Sequence, residues 1–240
     1  LYRPSWTVET PFQREQNQQN SDTLAKFFEG TFGGPIVRDR LWFFNADRYE
    51  NSVTARTLAE VGTNYDDGTT NKRVELKLTA TPVSNHRFTG NFINNPTENR
   101  SRPSLNATQA MDLAVLVNRQ LPNRLWVVNW NGALTGKLFA TAQWSRKNFG
   151  FRNSGGTSAA ITDSPFMSRG NFGIGATASR HYNAPYFSAN DPEDRNNRQL
   201  AGSVSYYVTN PTIGRHDFKG GGEYFTSWRT GGNSQSATGY

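Results

Sequence analysis

Apolar and polar side chains alternate with period two along most of this chain. Between residues 72 and 81, Val74, Leu76, Leu78 and Ala80 fall on one face, while Arg73, Glu75, Lys77, Thr79 and Thr81 fall on the other. Such alternation predicts a strand with one apolar and one wetted face. The charged face excludes the interior of a packed sandwich, and the apolar face excludes a strand free in water. The design repeats in Trp126, Val128, Trp130 and Leu134, in Leu138, Ala140, Ala142 and Trp144, and in Leu200, Val204, Tyr206 and Val208. It is weaker after His216, where Phe218, Tyr224 and Trp228 share a face with Gly220 and Gly222.

Eight strands are predicted, in four hairpins: residues 26–36 with 40–58, 72–81 with 87–95, 125–134 with 138–151, and 198–208 with 215–229. Within each hairpin the connection is tight, at 37–39, 82–85, 135–137 and 210–214. Between hairpins lie longer polar stretches, 59–71, 96–124 and 152–197. Both ends of a soluble sandwich face water, which gives no reason for such segregation. In an outer-membrane barrel, turns on the periplasmic side are short and outer loops are long. Every N–H and C=O in lipid must be paired, so such a sheet has to close. The predicted fold class is therefore all-β: part of a transmembrane antiparallel β-barrel, about eight up-and-down strands, open within this chain. The run Leu41-Trp42-Phe43-Phe44, with Trp126 and Trp144, suits an aromatic girdle at the membrane–water boundary. Residues 106–121 depart from period two. Ala107, Ala110, Met111, Ala114, Val117 and Leu121 keep helical spacing, so a short helix capped by Ser104 or Asn106 and an extension of the strands both remain open.

Composition agrees with two-faced strands. Hydrophobic residues make up only 35% of 240, yet 16 Phe, 9 Tyr and 6 Trp are too many for a disordered chain. The longest apolar run, 113–117, is far below the length of a transmembrane helix. The net charge of +7 raises nucleic acid as a partner, but the 26 Lys and Arg are dispersed and no patch forms in sequence, so none is expected. With 0 Cys there is neither disulfide nor thiolate site.

Catalytic chemistry finds no footing. His86, His181 and His216 lack metal-ligand spacing, Gly220-Gly221-Gly222 lacks the Lys-Ser/Thr of a phosphate loop, and no nucleophile elbow occurs. No enzyme activity, cofactor or metal is expected. Two acidic segments, Asp66-Asp67-Gly68 and Asp191 to Asp194, are weak calcium candidates without the EF-hand register; solvated loops are the plain alternative.

The run Gly33-Gly34-Pro35-Ile36-Val37-Arg38-Asp39-Arg40-Leu41-Trp42-Phe43-Phe44 resembles the first barrel hairpin of TonB-dependent outer-membrane receptors, of the Oar-like type with an N-terminal carboxypeptidase-regulatory-like domain. Residues 121–132, 191–199 and 214–221 look like the same family, so the resemblance covers roughly residues 20 to 230. In physical terms, Gly33-Gly34 is expected to let the sheet bend, Pro35 to end donation to the ladder, and Arg38-Asp39 to form a polar turn. The resemblance implies a bacterial outer-membrane location and a barrel of about twenty-two strands around a plug. It also implies energised uptake of a large nutrient, driven by a TonB complex through an upstream segment. On that reading the chain is a piece of a longer one. Residues 1–25 link the plug to the barrel, and 26–240 supply its first strands. Partners would be membrane lipid, the plug of the same protein, the TonB complex and an unidentified substrate.

If Val74, Leu76, Leu78 and Ala80 meet lipid, then Arg73, Glu75 and Lys77, with Asn129 and Asn131, face the lumen. There they either line a channel and brace a plug or are simply solvated. The family hairpin contributes Gly33, Gly34, Pro35, Ile36, Arg38, Asp39, Phe43 and Phe44. The alternative function is a surface adhesin or structural outer-membrane barrel binding carbohydrate or protein through long loops. A third reading, a soluble secreted β domain, requires a folded monomer in plain buffer.

Overall fold

A computed structural model describes residues 9–15, 23–58, 61–103, 110–155, 166–169, 179–182 and 192–231, with backbone alone for 166–169 and 179–182. The linker assigned to 1–25 lies mostly outside these residues; within it a short helix, α1, spans Pro11–Glu15. The elements that follow are β1 Lys26–Val37, β2 Leu41–Leu58, β3 Thr63–Val83, β4 His86–Asn94, β5 Thr97–Pro103, β6 Leu116–Leu121, β7 Asn123–Thr135, β8 Leu138–Phe151, β9 Phe166–Arg169, β10 Ser179–Tyr182, β11 Glu193–Asn210 and β12 Gly214–Thr230.

One sheet runs in the order β1, β2, β3, β4, β7, β8, β11, β12, and every neighbouring pair is antiparallel. These are the eight predicted strands in the predicted order. Among the described residues β1 and β12 do not pair, so the sheet is open with two free edges. The tight turns lie at 38–40, 84–85, 136–137 and 211–213, all at one end of the sheet. Asp39 has φ 60 in the first of them. Asp visits this left-handed region at less cost than a β-branched residue. Asp39→Val is accordingly expected to destabilise the hairpin by about 1 kcal/mol and Asp39→Gly by a few tenths at most, read from the unfolding midpoint of the whole protein.

The other end differs from expectation. Residues 63–71 are not loop: β2 and β3 continue in register from Leu41 with Ala80 to Leu58 with Thr63. At 18 and 21 residues they far exceed the nine to eleven or so that a tilted strand needs to cross a membrane, so both project beyond such a layer. The stretch 96–124 holds further sheet as well. After a break at Asn95-Pro96, β5 carries on from β4 along β3, and β6 returns beside β5 and enters β7 through Pro122. Among the described residues of 106–121, helical spacing yields only a 3-10 turn, Leu113–Val115, capped by Asp112 through its carboxylate and the Ala114 N–H. The strand extension is what forms at 116–121, while 104–109 lie outside the described residues. Pairing to β5 outweighs a helical stripe too short to stabilise itself. In the third stretch, 152–197, β9 and β10 form a small separate hairpin, and β11 begins at Glu193.

The projecting part has the buried apolar cluster, Leu58, Ala110 and Val115, with Tyr65 and Leu116 against it. Beside it, Asp67 is 6% exposed and receives Arg56 Nε at 2.9 Å and Arg102 Nη2 at 2.9 Å. Burial first, and then Asp67, pushes the Tyr65 phenol above its usual range. Arg102 thereby ties β5 to β3. Asp67→Asn should loosen the β5–β6 extension by about 1–3 kcal/mol, less than a fully buried pair because both arginines reach solvent. Faster hydrogen exchange across 97–121, with unchanged exchange in β7 and β8, would be the observation.

Candidate functional site

Residues paired in register on antiparallel strands share a face. One register row therefore reads Gly34, Phe43, Leu78, Gly90, Val128, Trp144, Leu200, Tyr224 across all eight strands. Two residues nearer the tight turns the row is Val37, Leu41, Ala80, Phe88, Trp130, Ala142, Gly202, Gly222. Neither row contains a charge. Together they form an unbroken apolar band, and it is not covered: Leu78 is 40%, Val128 47% and Leu200 55% exposed. Among the described residues of these two rows and their neighbours, burial of an apolar side chain is confined to Ala140; Leu58, the other buried apolar side chain of the eight strands, lies at the far end of β2.

The alternate rows carry the polar groups. One reads Pro35, Trp42, Thr79, Thr89, Asn129, Gln143, Ala201, Glu223. The sheet places Arg73, Glu75, Lys77, Asn129 and Asn131 together on this polar face. Arg73 and Glu75 neutralise each other at 2.7 Å, and Arg48 bridges to Glu29 at 3.3 Å alongside. Asn129 and Asn131 line a hollow of about 340 Å³ with Thr141, Gln143 and Ser203. Thr141 and Ser203 share a hydrogen bond of 2.8 Å. These three partners are the alternates of Ala140, Ala142 and Val204, so the periodicity that marked the apolar face already contained them. A surface of amides and hydroxyls with a few paired charges can hydrogen-bond a polar solute or a second protein segment. Among the described residues it presents no nucleophile–base pair.

The aromatic run 41–44 is divided between faces. Leu41 and Phe43 join the apolar band, while Trp42 and Phe44 pair with Thr79 and Lys77 on the polar side. Consecutive residues of a strand cannot all enter one girdle. Trp126, Trp130 and Trp144 do lie on the apolar face. Trp130 stacks on His86 at 5.8 Å and donates Nε1–H to its Nδ1 at 3.2 Å, so this histidine is held at the turn end of the band. Gly132 makes room for the pair, since a Cβ there would lie 2.6 Å from both rings.

In the signature hairpin, Gly33 answers to a close backbone approach. Neither Gly33 nor Gly34 has positive φ. A Cβ on Gly33 would meet the Phe43 carbonyl oxygen at 2.7 Å, with the Phe44 ring at 3.4 Å, whereas at Gly34 the space is open. The irregularity falls at Ile36, between the paired Pro35 and Val37, next to the turn of Arg38 and Asp39. Pro35 sits on the free-edge strand beside this bulge, where its missing N–H costs least.

The calcium candidates are engaged otherwise. Asp66 and Asp67 lie within β3, and Asp67 is held by its two arginines. Asp194 binds Arg152 at 2.7 Å, Glu193 binds Arg195 at 2.6 Å, and Asp191 lies outside the described residues.

No protein-family model matches the chain, and no curated protein sequence does. Its fold is similar to part of the outer membrane transporter YddB from Escherichia coli, with a TM-score of 0.54 over 94% of this chain and 12% sequence identity. The chain spans 30% of that transporter's length. The shared feature is the fold: an open antiparallel sheet that corresponds to a portion of a membrane barrel.

Proposed function

We propose that this chain is part of the barrel of an outer-membrane transporter of the TonB-dependent kind, taking up a large nutrient without covalent chemistry. The observation that carries the reading is the pair of charge-free register rows crossing all eight strands, exposed on one face, with a polar face behind. Lipid is the solvent that such a band requires, and strands with fully paired backbones are how a sheet tolerates it. The likeness of fold to an outer membrane transporter supports the class, and the hairpin from Gly33 to Phe44 supports the TonB-dependent type. On this reading the polar face looks into the lumen. Asn129, Asn131, Thr141, Gln143 and Ser203 then contact a plug or a passing solute, and residues 1–25 lead from that plug. The partners are membrane lipid, the plug and the TonB complex.

A plug makes the reading testable without knowing the cargo. In the whole protein, a cysteine at Asn131 should react slowly with a bulky water-soluble maleimide. Deleting the segment upstream of this chain should accelerate labelling at least tenfold. Equal rates in the two forms would sink the plugged transporter in favour of an unplugged adhesive barrel.

A further inference from the structure

The apolar face changes character one row beyond the band, away from the tight turns. There the register reads Leu76, Phe92, Trp126, Arg146, Arg198, Thr226. The next row brings Arg124, opposite Asn94 and Asn148. Arg146 and Arg198 are direct cross-strand partners, an arrangement that repels when nothing lies between the charges. Among the described residues no carboxylate comes within 4.0 Å of Arg124, Arg146 or Arg198; Arg124 donates only to the Asn94 amide oxygen at 3.3 Å. The two acids at the groove that opens here are already engaged, Glu98 by Lys72 at 3.6 Å and Asp194 by Arg152 at 2.7 Å. A groove of about 800 Å³ opens here, where Pro96 and Pro122 interrupt the strands, and its walls include Arg124, Arg146, Trp126 and Trp144.

We infer that this groove is a binding site for the phosphorylated headgroup of a membrane lipid, whose acyl chains lie on Trp126, Trp144 and the band below. The inference rests on the membrane reading proposed above. Position supports it: Leu138 to Arg146 takes up nine residues of β8, the lower end of the roughly nine to eleven that a tilted strand needs to cross the apolar layer. Arg146 and its neighbours therefore stand at headgroup depth. Chemistry supports it too. Guanidinium groups bind phosphate with paired, charge-assisted hydrogen bonds, and indole rings favour the interface. Arg124 and Arg146 line the groove and Arg198 stands beside it as the cross-strand partner of Arg146, so a phosphate at Arg146 relieves the repulsion between the two.

The test uses the whole protein in lipid nanodiscs and in detergent free of phosphate. Native mass spectrometry counts the lipid retained from a phosphorylated glycolipid and from its dephosphorylated form with the same acyl chains. The wild type should retain the phosphorylated lipid at least about tenfold better. Arg146→Gln with Arg198→Gln should remove that preference, Lys at both positions should restore part of it, and Arg215→Gln near the tight turns should leave it intact. Equal retention of the two lipids by the wild type would overturn the inference, and needs no variant to fold. Displacement of the lipid by inorganic phosphate at equal concentration would overturn it as well, assigning the groove to free phosphate. If the protein fails to enter nanodiscs at all, the membrane reading itself falls. If it enters and does not discriminate, only the lipid site does.

Discussion

Leu78→Arg in the whole protein is expected to stop barrel assembly. Leu78 pairs with Gly90 on one side and Phe43 on the other, inside the charge-free row that crosses all eight strands. A guanidinium near mid-membrane costs about 2–4 kcal/mol on a lipid-facing strand. Against a total stability of only about 5–15 kcal/mol, and an insertion step with every strand committed at once, that loss should leave little assembled protein. The compact, heat-modifiable band on unboiled gels of outer membranes reads it directly. Lys77→Gln, one residue along and on the opposite face, removes a charge rather than burying one, and should assemble within about 0.5 kcal/mol of wild type. The reverse pattern would mean that the two faces are assigned the wrong way round.

The chain alone in water provides the second large effect. Eight strands at about 4.8 Å spacing make the band about 38 Å wide. Its rows, with Leu76, Phe92 and Trp126 above and Val204 and Phe218 below, exceed the few hundred Å² that soluble monomers usually leave uncovered. The edges β1 and β12 add two rows of unpaired N–H and C=O groups, a second route to association. Residues 1–240 refolded in plain buffer should therefore aggregate. In detergent they should stay dispersed with a β-type circular dichroism spectrum. A monodisperse, folded monomer in buffer without detergent would instead favour a soluble binding domain.

Much of this was legible in the sequence, for a physical reason. A strand reads its own faces by parity, so Val74 to Ala80 and Trp126 to Trp130 identified the band before any pairing was known. Register between strands is not written in one strand's parity, and three features are hidden for that reason. Asp66 and Asp67 look like a polar loop, but β2 continues opposite them and Arg56 and Arg102 compensate the charge. Residues 116–121 carry helical spacing, yet β5 offers backbone partners that a short helix cannot match. The arginine row was invisible because Arg124, Arg146 and Arg198 are far apart in the chain and meet only through the ladder. The candidate polar site was half visible. Asn129 and Asn131 announced themselves, while Thr141, Gln143 and Ser203 join them only when β7, β8 and β11 are set side by side.

An apolar face toward lipid and a polar face away from it can be distinguished residue by residue in a spin-label scan. This chain contributes 0 Cys, so single cysteines at 73 through 80 of the whole protein in bilayers are each unique within it. Collision with lipid-soluble oxygen and with a water-soluble nickel chelate is measured at each label. Period two is expected, with oxygen dominating at 74, 76, 78 and 80, and lower oxygen contact with residual chelate access at 73, 75, 77 and 79. Uniform chelate access, or alternation with the opposite phase, would contradict it.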